Sequence, residues 1–134
     1  MRPLEDMQAE VLDRMRRLEP SEASFEGAAG AVLAGDVIAP ENLPGFENAA
    51  MDGFAVVASD LDQPPVELDI IDDVAAGSVP AATVEPGTAA RIMTGAPIPP
   101  GADAVVPVEA TSMAAEGRVR ILEPATVGDH VRPV

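Results

Sequence analysis

Residues 43–56 read LPGFENAAMDGFAV, and residues 91–109 read RIMTGAPIPPGADAVVPVE. Both segments place Gly and Pro between short apolar runs, and turn-formers at this density give loops a fixed backbone geometry. Binding and catalytic residues concentrate on loops that a rigid scaffold holds in place. We therefore expect the loops of these two segments to form a site.

The composition indicates a domain-sized globular chain with an aliphatic core. The chain has 134 residues, of which 47% are apolar, but it contains three Phe and no Trp or Tyr. A core of Val, Ile, Leu, Met and Ala buries less area per residue than an aromatic core does. This composition favours either a marginally stable monomer or an oligomer.

The chain is strongly acidic, with a formal net charge of −15. All 8 basic residues are arginines, and residues 1–17 carry as many acidic residues as arginines, so the negative excess lies in residues 18–134. Nucleic acid is excluded as a partner, because each phosphate contact needs a cation. An anionic small ligand would need a metal ion or another polypeptide to supply positive charge.

Cysteine is absent, which excludes disulfides, thiolate metal sites and cysteine nucleophiles. No run approaches the roughly 20 apolar residues of a membrane span, and no signal-peptide pattern opens the chain. We expect a cytoplasmic protein with no membrane partner.

The hydrophobic pattern predicts an α+β, mainly β fold. Apolar residues at helical spacing predict a helix over residues 4–18 that Pro20 ends, and Ser24 is placed to cap a second helix that ends at Gly35. After Asp36 the pattern changes to short apolar runs between Gly and Pro. We expect a helical N-terminal arm, residues 1–35, followed by an antiparallel or mixed β-rich domain, residues 36–134.

Six short strands are predicted in the β-rich domain, over residues 37–38, 54–58, 66–71, 89–94, 104–108 and 119–122. The strongest is residues 66–71, where apolar and acidic side chains alternate. The last two strands are expected to pair as a hairpin through a turn near Glu116 and Gly117.

Asp52 is the first candidate site residue, because it precedes Gly53 and a predicted strand. A carboxylate there could ligate Mg²⁺, accept hydrogen bonds from a ligand or act as a base. The alternative is an Asx-turn, in which Asp52 bonds its own backbone. The residues alone favour the turn.

Thr94 and Gly95 form the second candidate, since they close a predicted strand with a hydroxyl and a free backbone N–H that suit an anion or ligand. Arg91 is the only cation between Arg17 and Arg118. An isolated arginine among many acids is more often a structural ion pair or carbonyl clamp, and we predict that role for Arg91.

Two other features are weaker indications of a binding site. His130, the only histidine, has no second ligand at zinc spacing and is expected at the surface. The acidic residues between Asp60 and Asp73 lack the pattern of a calcium loop, so we expect a solvated face there, with a Ca²⁺-binding β domain as a third alternative.

The two opening segments, extended to residues 28–46 (AAGAVLAGDVIAPENLPGF) and 76–109, resemble the N-terminal half of the molybdopterin molybdenumtransferase family, which includes MoeA and the E domain of gephyrin. The resemblance implies molybdenum cofactor biosynthesis: molybdate is inserted into adenylylated molybdopterin, AMP is released and Mg²⁺ is required. It also implies a homodimer, with the arm in the first family domain and the β body in the second.

By their position in the matching motifs, Asp52 and Thr94 are implied catalytic residues, and Asp52, Thr94 and Gly95 are implied cofactor-binding residues; no metal ligand is assigned. The resemblance implies a cleft between the second domain of one subunit and the third domain of the other. This chain departs from the family at Ala49 and Phe54, where two hydroxyls are lost.

The resemblance further implies that the matching family members continue into a third, molybdopterin-binding domain and a fourth. We therefore expect this polypeptide to be inactive alone, as a truncated part of a longer transferase. The alternative is a non-catalytic dimerisation or interaction module derived from the same family.

Overall fold

The computed structural model describes residues 2–134, which form two units divided between Ala39 and Pro40. Each unit is described by itself. The assignment of residues 1–35 and 36–134 to two family domains stays a prediction.

The first unit contains one α-helix, α1, at Leu4–Asp13. Glu5 and Asp6 lie in its first turn, where acidic side chains favour the helix dipole. The predicted extension to residue 18 is wrong. Met15 and Leu18 are exposed, as are the apolar residues of α1, so packing within this unit does not set the end of the helix, which stops short of the limit that Pro20 imposes.

The predicted second helix is also wrong beyond its first turn. The hydroxyl of Ser24 accepts the N–H of Gly27 at 3.2 Å, as a capping residue does, but only a 3₁₀ turn at Glu26–Ala28 follows. Gly30 has φ of 81°, a left-handed conformation that ends helices. Among residues 2–39 no side chain is buried.

The second unit contains eight strands and accounts for the mainly β fold predicted from the sequence. The strands are β1 Asn48–Ala49, β2 Gly53–Val56, β3 Val66–Val74, β4 Thr88–Ile92, β5 Ala104–Pro107, β6 Thr111–Ala115, β7 Arg118–Ile121 and β8 Val131–Arg132. Two 3₁₀ turns, Ala58–Leu61 and Val108–Ala110, follow β2 and β5. Residues 37–38 form no strand.

A mixed sheet of six strands, in the order β5-β2-β4-β3-β7-β6, forms the body of this unit. The pair β3–β4 is parallel and the others are antiparallel, so the predicted mixed topology is confirmed. Strands β1 and β8 form a separate two-stranded sheet.

The predicted hairpin between residues 104–108 and 119–122 is wrong. Strand β5 pairs with β2, and β7 pairs through the turn at Gly117 with β6. Strand β6 was not predicted, because its sequence TSMAA lacks the apolar alternation that marks a half-buried strand.

Both faces of the central strands are buried. Along β2, Phe54 and Val56 belong to one apolar cluster, which also contains Leu61 and Leu68, whereas Ala55 belongs to the other. Alternate residues of a strand point to opposite faces, so β2 lies between the two clusters. The loop before β2 is therefore held against a scaffold that is packed on both sides.

Candidate functional site

The site begins at the bend that leads from β1 into β2, where Asp52 precedes Gly53. Gly53 pairs with Ile92 of β4 and with Pro107 of β5. A Cβ placed on Gly53 would lie 2.0 Å from the carbonyl oxygen of Val106, so only glycine permits this approach of β5. The carbonyl of Asp52 accepts the N–H of Val108 at 3.1 Å, which fixes the bend from the other side.

Asp52 is bound by Thr94, which follows β4. The backbone N–H and the hydroxyl of Thr94 both donate to Oδ1 of Asp52, each at 2.7 Å. Both residues are exposed. Asp52 thus bonds a residue distant in sequence, and the Asx-turn alternative does not describe its contacts.

These contacts favour the ionised carboxylate. The backbone N–H of Thr94 is the largest cause that lowers the pKa of Asp52, followed by the Thr94 hydroxyl; partial desolvation opposes them, and the charge of Arg91 adds a further lowering. Oδ2 accepts no hydrogen bond from residues 2–134. Asp52 therefore presents one free anionic oxygen, while Thr94 fixes the other.

The loop after β4 is anchored to β1 through its backbone. Gly95, with φ of 81°, donates its N–H to the carbonyl of Ala49 at 2.8 Å, and the N–H of Ala49 donates to Ala96 at 3.0 Å. The sequence predicted a free backbone N–H at this step of the chain. That prediction is wrong, because the N–H of Thr94 donates to Asp52 and the N–H of Gly95 donates to Ala49. The roles of Thr94 and Gly95 in ligand binding stay predictions.

Arg91 does not have the predicted clamp role. Within the part of the chain that the structure describes, it makes neither a hydrogen bond nor an ion pair. By contrast, Arg118 and Arg120 bind Glu67, and Arg132 contacts Asn48. Arg91 is paired across the β2–β4 ladder with Phe54, two residues after Asp52.

The departures from the family motif lie inside the fold. Ala49 is 0% exposed and Phe54 is 4% exposed. Both residues belong to the packed clusters on either side of β2. The side chains present at these two positions therefore contribute to the core of the sheet.

Asp72 is a structural carboxylate that the sequence analysis did not single out. It accepts the N–H groups of Ala81 at 2.8 Å and Ala82 at 3.1 Å, and so pins the crossover from β3 to β4. The hydrogen bond from Ala81 is the main cause that lowers the pKa of Asp72. No sequence signal distinguishes Asp72 from Asp73, because the pinning depends on a crossover loop that only the fold brings near.

The remaining sequence candidates lie at the surface. His130 is exposed, as predicted. Within the acidic segment, Asp60 accepts the N–H of Gly87, and Glu67 and Asp69 form ion pairs with Arg118. Among residues 2–134 no group of three or more His, Asp or Glu side chains is arranged to hold a metal ion, and no helix there is long and apolar enough to cross a membrane.

Comparison with known proteins places the whole fold in one family. The sequence-family model of the MoeA N-terminal region (domain I and II) matches residues 2–134. Molybdopterin molybdenumtransferase 2 of Mycobacterium tuberculosis is 46% identical over 136 residues, covering 98% of this chain and 33% of that protein. The molybdopterin molybdenumtransferase of Bacillus subtilis is 37% identical over 113 residues, covering 81% and 26%.

The fold also matches a solved structure. The molybdopterin biosynthesis MoeA protein of Pyrococcus horikoshii OT3 superposes with a TM-score of 0.79 at 32% identity, over 97% of this chain and 35% of that one. The chain spans about a third of the length of the curated relative of highest identity named above. The chain belongs to the family of the MoeA N-terminal region.

Proposed function

We propose that this chain supplies the Asp52–Thr94 part of a site at which molybdenum is inserted into molybdopterin. The observation that carries the proposal is the carboxylate of Asp52, which Thr94 holds ionised by two hydrogen bonds to one oxygen while the other oxygen stays free. The relatives named molybdopterin molybdenumtransferase support the reaction class.

Asp52 has the chemistry that such a site needs. Its free Oδ2 can accept a proton or a hydrogen bond from the ligand, and Thr94 prevents the carboxylate from rotating away. A group held in one geometry loses less conformational freedom when the ligand binds. In this proposal Asp52 contacts the ligand, and Thr94 positions Asp52.

We propose Mg²⁺ as an ion shared with the substrate. Mg²⁺ usually binds one or two carboxylates and completes its shell with waters and substrate phosphates. The donor set fits this role, because Asp52 offers one free carboxylate oxygen and residues 2–134 form no protein cage. When bound, Mg²⁺ would neutralise part of the charge of an adenylylated molybdopterin and of molybdate.

Substitution of Asp52 tests the proposal in a full-length transferase that contains residues 2–134 of this chain. The rate of AMP release from adenylylated molybdopterin, with molybdate and Mg²⁺, is measured for Asp52→Asn and for the matched control Asp62→Asn. Asp62 is exposed and makes no hydrogen bond in the described part of the chain. Loss of a positioned acid–base group lowers rates by roughly 10²–10⁴-fold, so we expect at least a hundredfold loss for Asp52→Asn. Equal rates for the two variants would disprove the role of Asp52.

A second candidate function is dimerisation, and the first unit favours it. Leu4, Met7, Val11 and Leu12 of α1 are all exposed. An amphipathic helix with one apolar face needs a surface to cover that face. We propose a homodimer, in which a second copy covers it, and expect twice the monomer mass in analytical ultracentrifugation. Substituting Met7 and Val11 with Glu should give a monomer with an unchanged circular dichroism spectrum, and a monomeric parent chain would reject the proposal.

We also propose a cytoplasmic location. A chain without cysteine has no disulfide that an oxidising compartment would form. Fractionation of cells that express a tagged chain checks this, and recovery outside the cytoplasmic fraction would contradict it.

A further inference from the structure

The hydrogen-bond donors of residues 93–95, next to Asp52, are all used within the chain. The Thr94 N–H and hydroxyl both donate to Asp52, and the Gly95 N–H donates to Ala49. The backbone N–H of Met93 donates to the carbonyl of Val74 at 3.0 Å. A ligand anion at this surface therefore finds no free donor in the residues 93–95 that close β4.

Arg91 is the exception. Its side chain is exposed and makes no hydrogen bond or ion pair within residues 2–134. The cross-strand pairing with Phe54 places it beside the start of β2, two residues from Asp52. Its charge reaches Asp52, since it lowers the pKa of that carboxyl.

We propose that Arg91 is the anion-binding residue of this surface and that its guanidinium takes a tetrahedral oxyanion dianion of the phosphate and molybdate class. The planar guanidinium presents two parallel N–H donors, which match two oxygens of such an ion. The assignment rests on the function proposed above, because that function brings oxyanions to Asp52.

The charge of the chain makes this arginine unusual. Arg91 is the only cation between Arg17 and Arg118, in a chain of net charge −15. Two carboxylates lie near it: Asp52, whose pKa its charge lowers, and Asp73, its register partner in β3. These carboxylates repel an anion, so the binding is weak in this chain and becomes tighter when a metal ion neutralises Asp52.

A structural alternative assigns Arg91 only the task of offsetting the charges of Asp52 and Asp73. In that case its removal raises the pKa of Asp52, but no oxyanion binds saturably. Anion titration therefore separates the two roles.

The test follows the Nε–Hε signals of the arginines by NMR while the chain is titrated with inorganic phosphate, and separately with molybdate, at constant ionic strength set by chloride. The Arg91 signal is assigned by its loss in Arg91→Gln. We expect this signal to shift saturably, and the shift to persist in Arg17→Gln, which removes the same charge from an exposed residue outside the site. Arg91→Lys should bind at least threefold more weakly, because a lysine ammonium lacks the planar fork.

Asp52→Asn supplies a second readout. Removing the neighbouring negative charge should tighten oxyanion binding about fivefold, a change that a purely structural arginine does not produce. A saturable shift of the Arg91 signal with both ions, or with phosphate alone, supports the assignment and indicates that the bound oxyanion can be a phosphoryl group of the substrate. A saturable shift with molybdate alone supports the assignment with free molybdate as the ligand.

The assignment is overturned if neither ion shifts the Arg91 signal up to 50 mM, or if the Arg17 signal shifts equally. Because this titration needs no turnover, its failure leaves the Asp52 proposal intact. Conversely, if Asp52→Asn and Asp62→Asn release AMP at equal rates, the role of Asp52 is disproved, but anion binding measured at Arg91 still stands.

Discussion

Replacing Gly53 with alanine should strongly destabilise the sheet at the site. The added Cβ would lie 2.0 Å from the carbonyl oxygen of Val106 and 3.0 Å from the Cα of Pro107. Carbon–oxygen contacts normally reach about 3.3 Å, so β5 would have to move roughly 1.3 Å away from β2. That movement stretches the hydrogen bonds of the β2–β5 ladder next to Asp52.

The expected loss of unfolding free energy is about 3 kcal/mol. Overpacking in a rigid interior costs about 1–3 kcal/mol, and each weakened hydrogen bond adds about 1 kcal/mol. Urea unfolding followed by circular dichroism measures the loss. Faster hydrogen exchange of the Thr94 amide should accompany it, because β2 holds Asp52 in place as the acceptor of that amide.

Gly95→Ala is the matched control. Gly95 also lies beside the site and has φ of 81°, but a Cβ there meets no atom within 4 Å. Left-handed backbone alone costs a non-glycine residue about 1 kcal/mol. The reasoning fails if Gly53→Ala unfolds within about 0.5 kcal/mol of the parent chain, or if Gly95→Ala is the more destabilising of the two.

Three further predictions concern the Thr94 hydroxyl, the crossover loop and the core. Thr94→Val removes one hydrogen-bond donor, so the pKa of Asp52 should rise towards its ordinary value, as a ¹³C carboxyl titration can show. A lowered pKa stabilises the folded chain at pH above the pKa of the unfolded state, and this stabilisation is lost as pH falls through the pKa of the folded state. Acid unfolding of the variant should therefore begin at higher pH than that of the parent chain. Asp72→Asn should speed hydrogen exchange of the two amides that bind its carboxylate, whereas unchanged protection would mean that other contacts hold the crossover. Leu61→Ala should lower the free energy of unfolding by about 3 kcal/mol because the side chain is 0% exposed, whereas Leu18→Ala, at 94% exposure, should change it by less than about 0.5 kcal/mol. Equal urea midpoints for the two variants would contradict the burial of Leu61.

Strands were predictable where the pattern was local and strong. The alternation in residues 66–71 led to β3, which the structure extends to Val74. The second helix could not be excluded from its apolar spacing, because the decisive feature is the left-handed backbone of Gly30, which glycine permits but does not require. Strand β6 was missed because Ser112 and Met113 pair with β7 at the sheet edge without burying an apolar face.

The site was predictable only in part, because its contacts are not local. Asp52 and Thr94 were singled out by their positions beside predicted strands and given a role through the family motif. Their hydrogen bonds span 42 residues and follow from the pairing of β2 with β4. The same pairing directs the Thr94 hydroxyl to Asp52, and the loop that follows directs the Gly95 N–H to Ala49, so the predicted free N–H is absent from residues 94–95. Residue type alone shows which groups could donate, but only the fold shows which donors remain free.

This distinction connects the charge of the chain with the geometry of the site. Thr94 donates two hydrogen bonds to one oxygen of Asp52 and lowers the pKa of the carboxyl group. Asp52 is therefore ionised at neutral pH, and its other oxygen is free. That oxygen repels a ligand that carries its own negative charge, and a cation beside it offsets the repulsion. Of the four arginines in residues 40–134, three bind side-chain partners in the described structure and Arg91 does not. Within residues 40–134, an acidic surface that binds an anion can use Arg91, a metal ion on Asp52, or both together. These choices differ in one measurable respect: oxyanion binding through Arg91 alone needs no Mg²⁺, whereas binding through a metal ion on Asp52 vanishes when the metal is chelated.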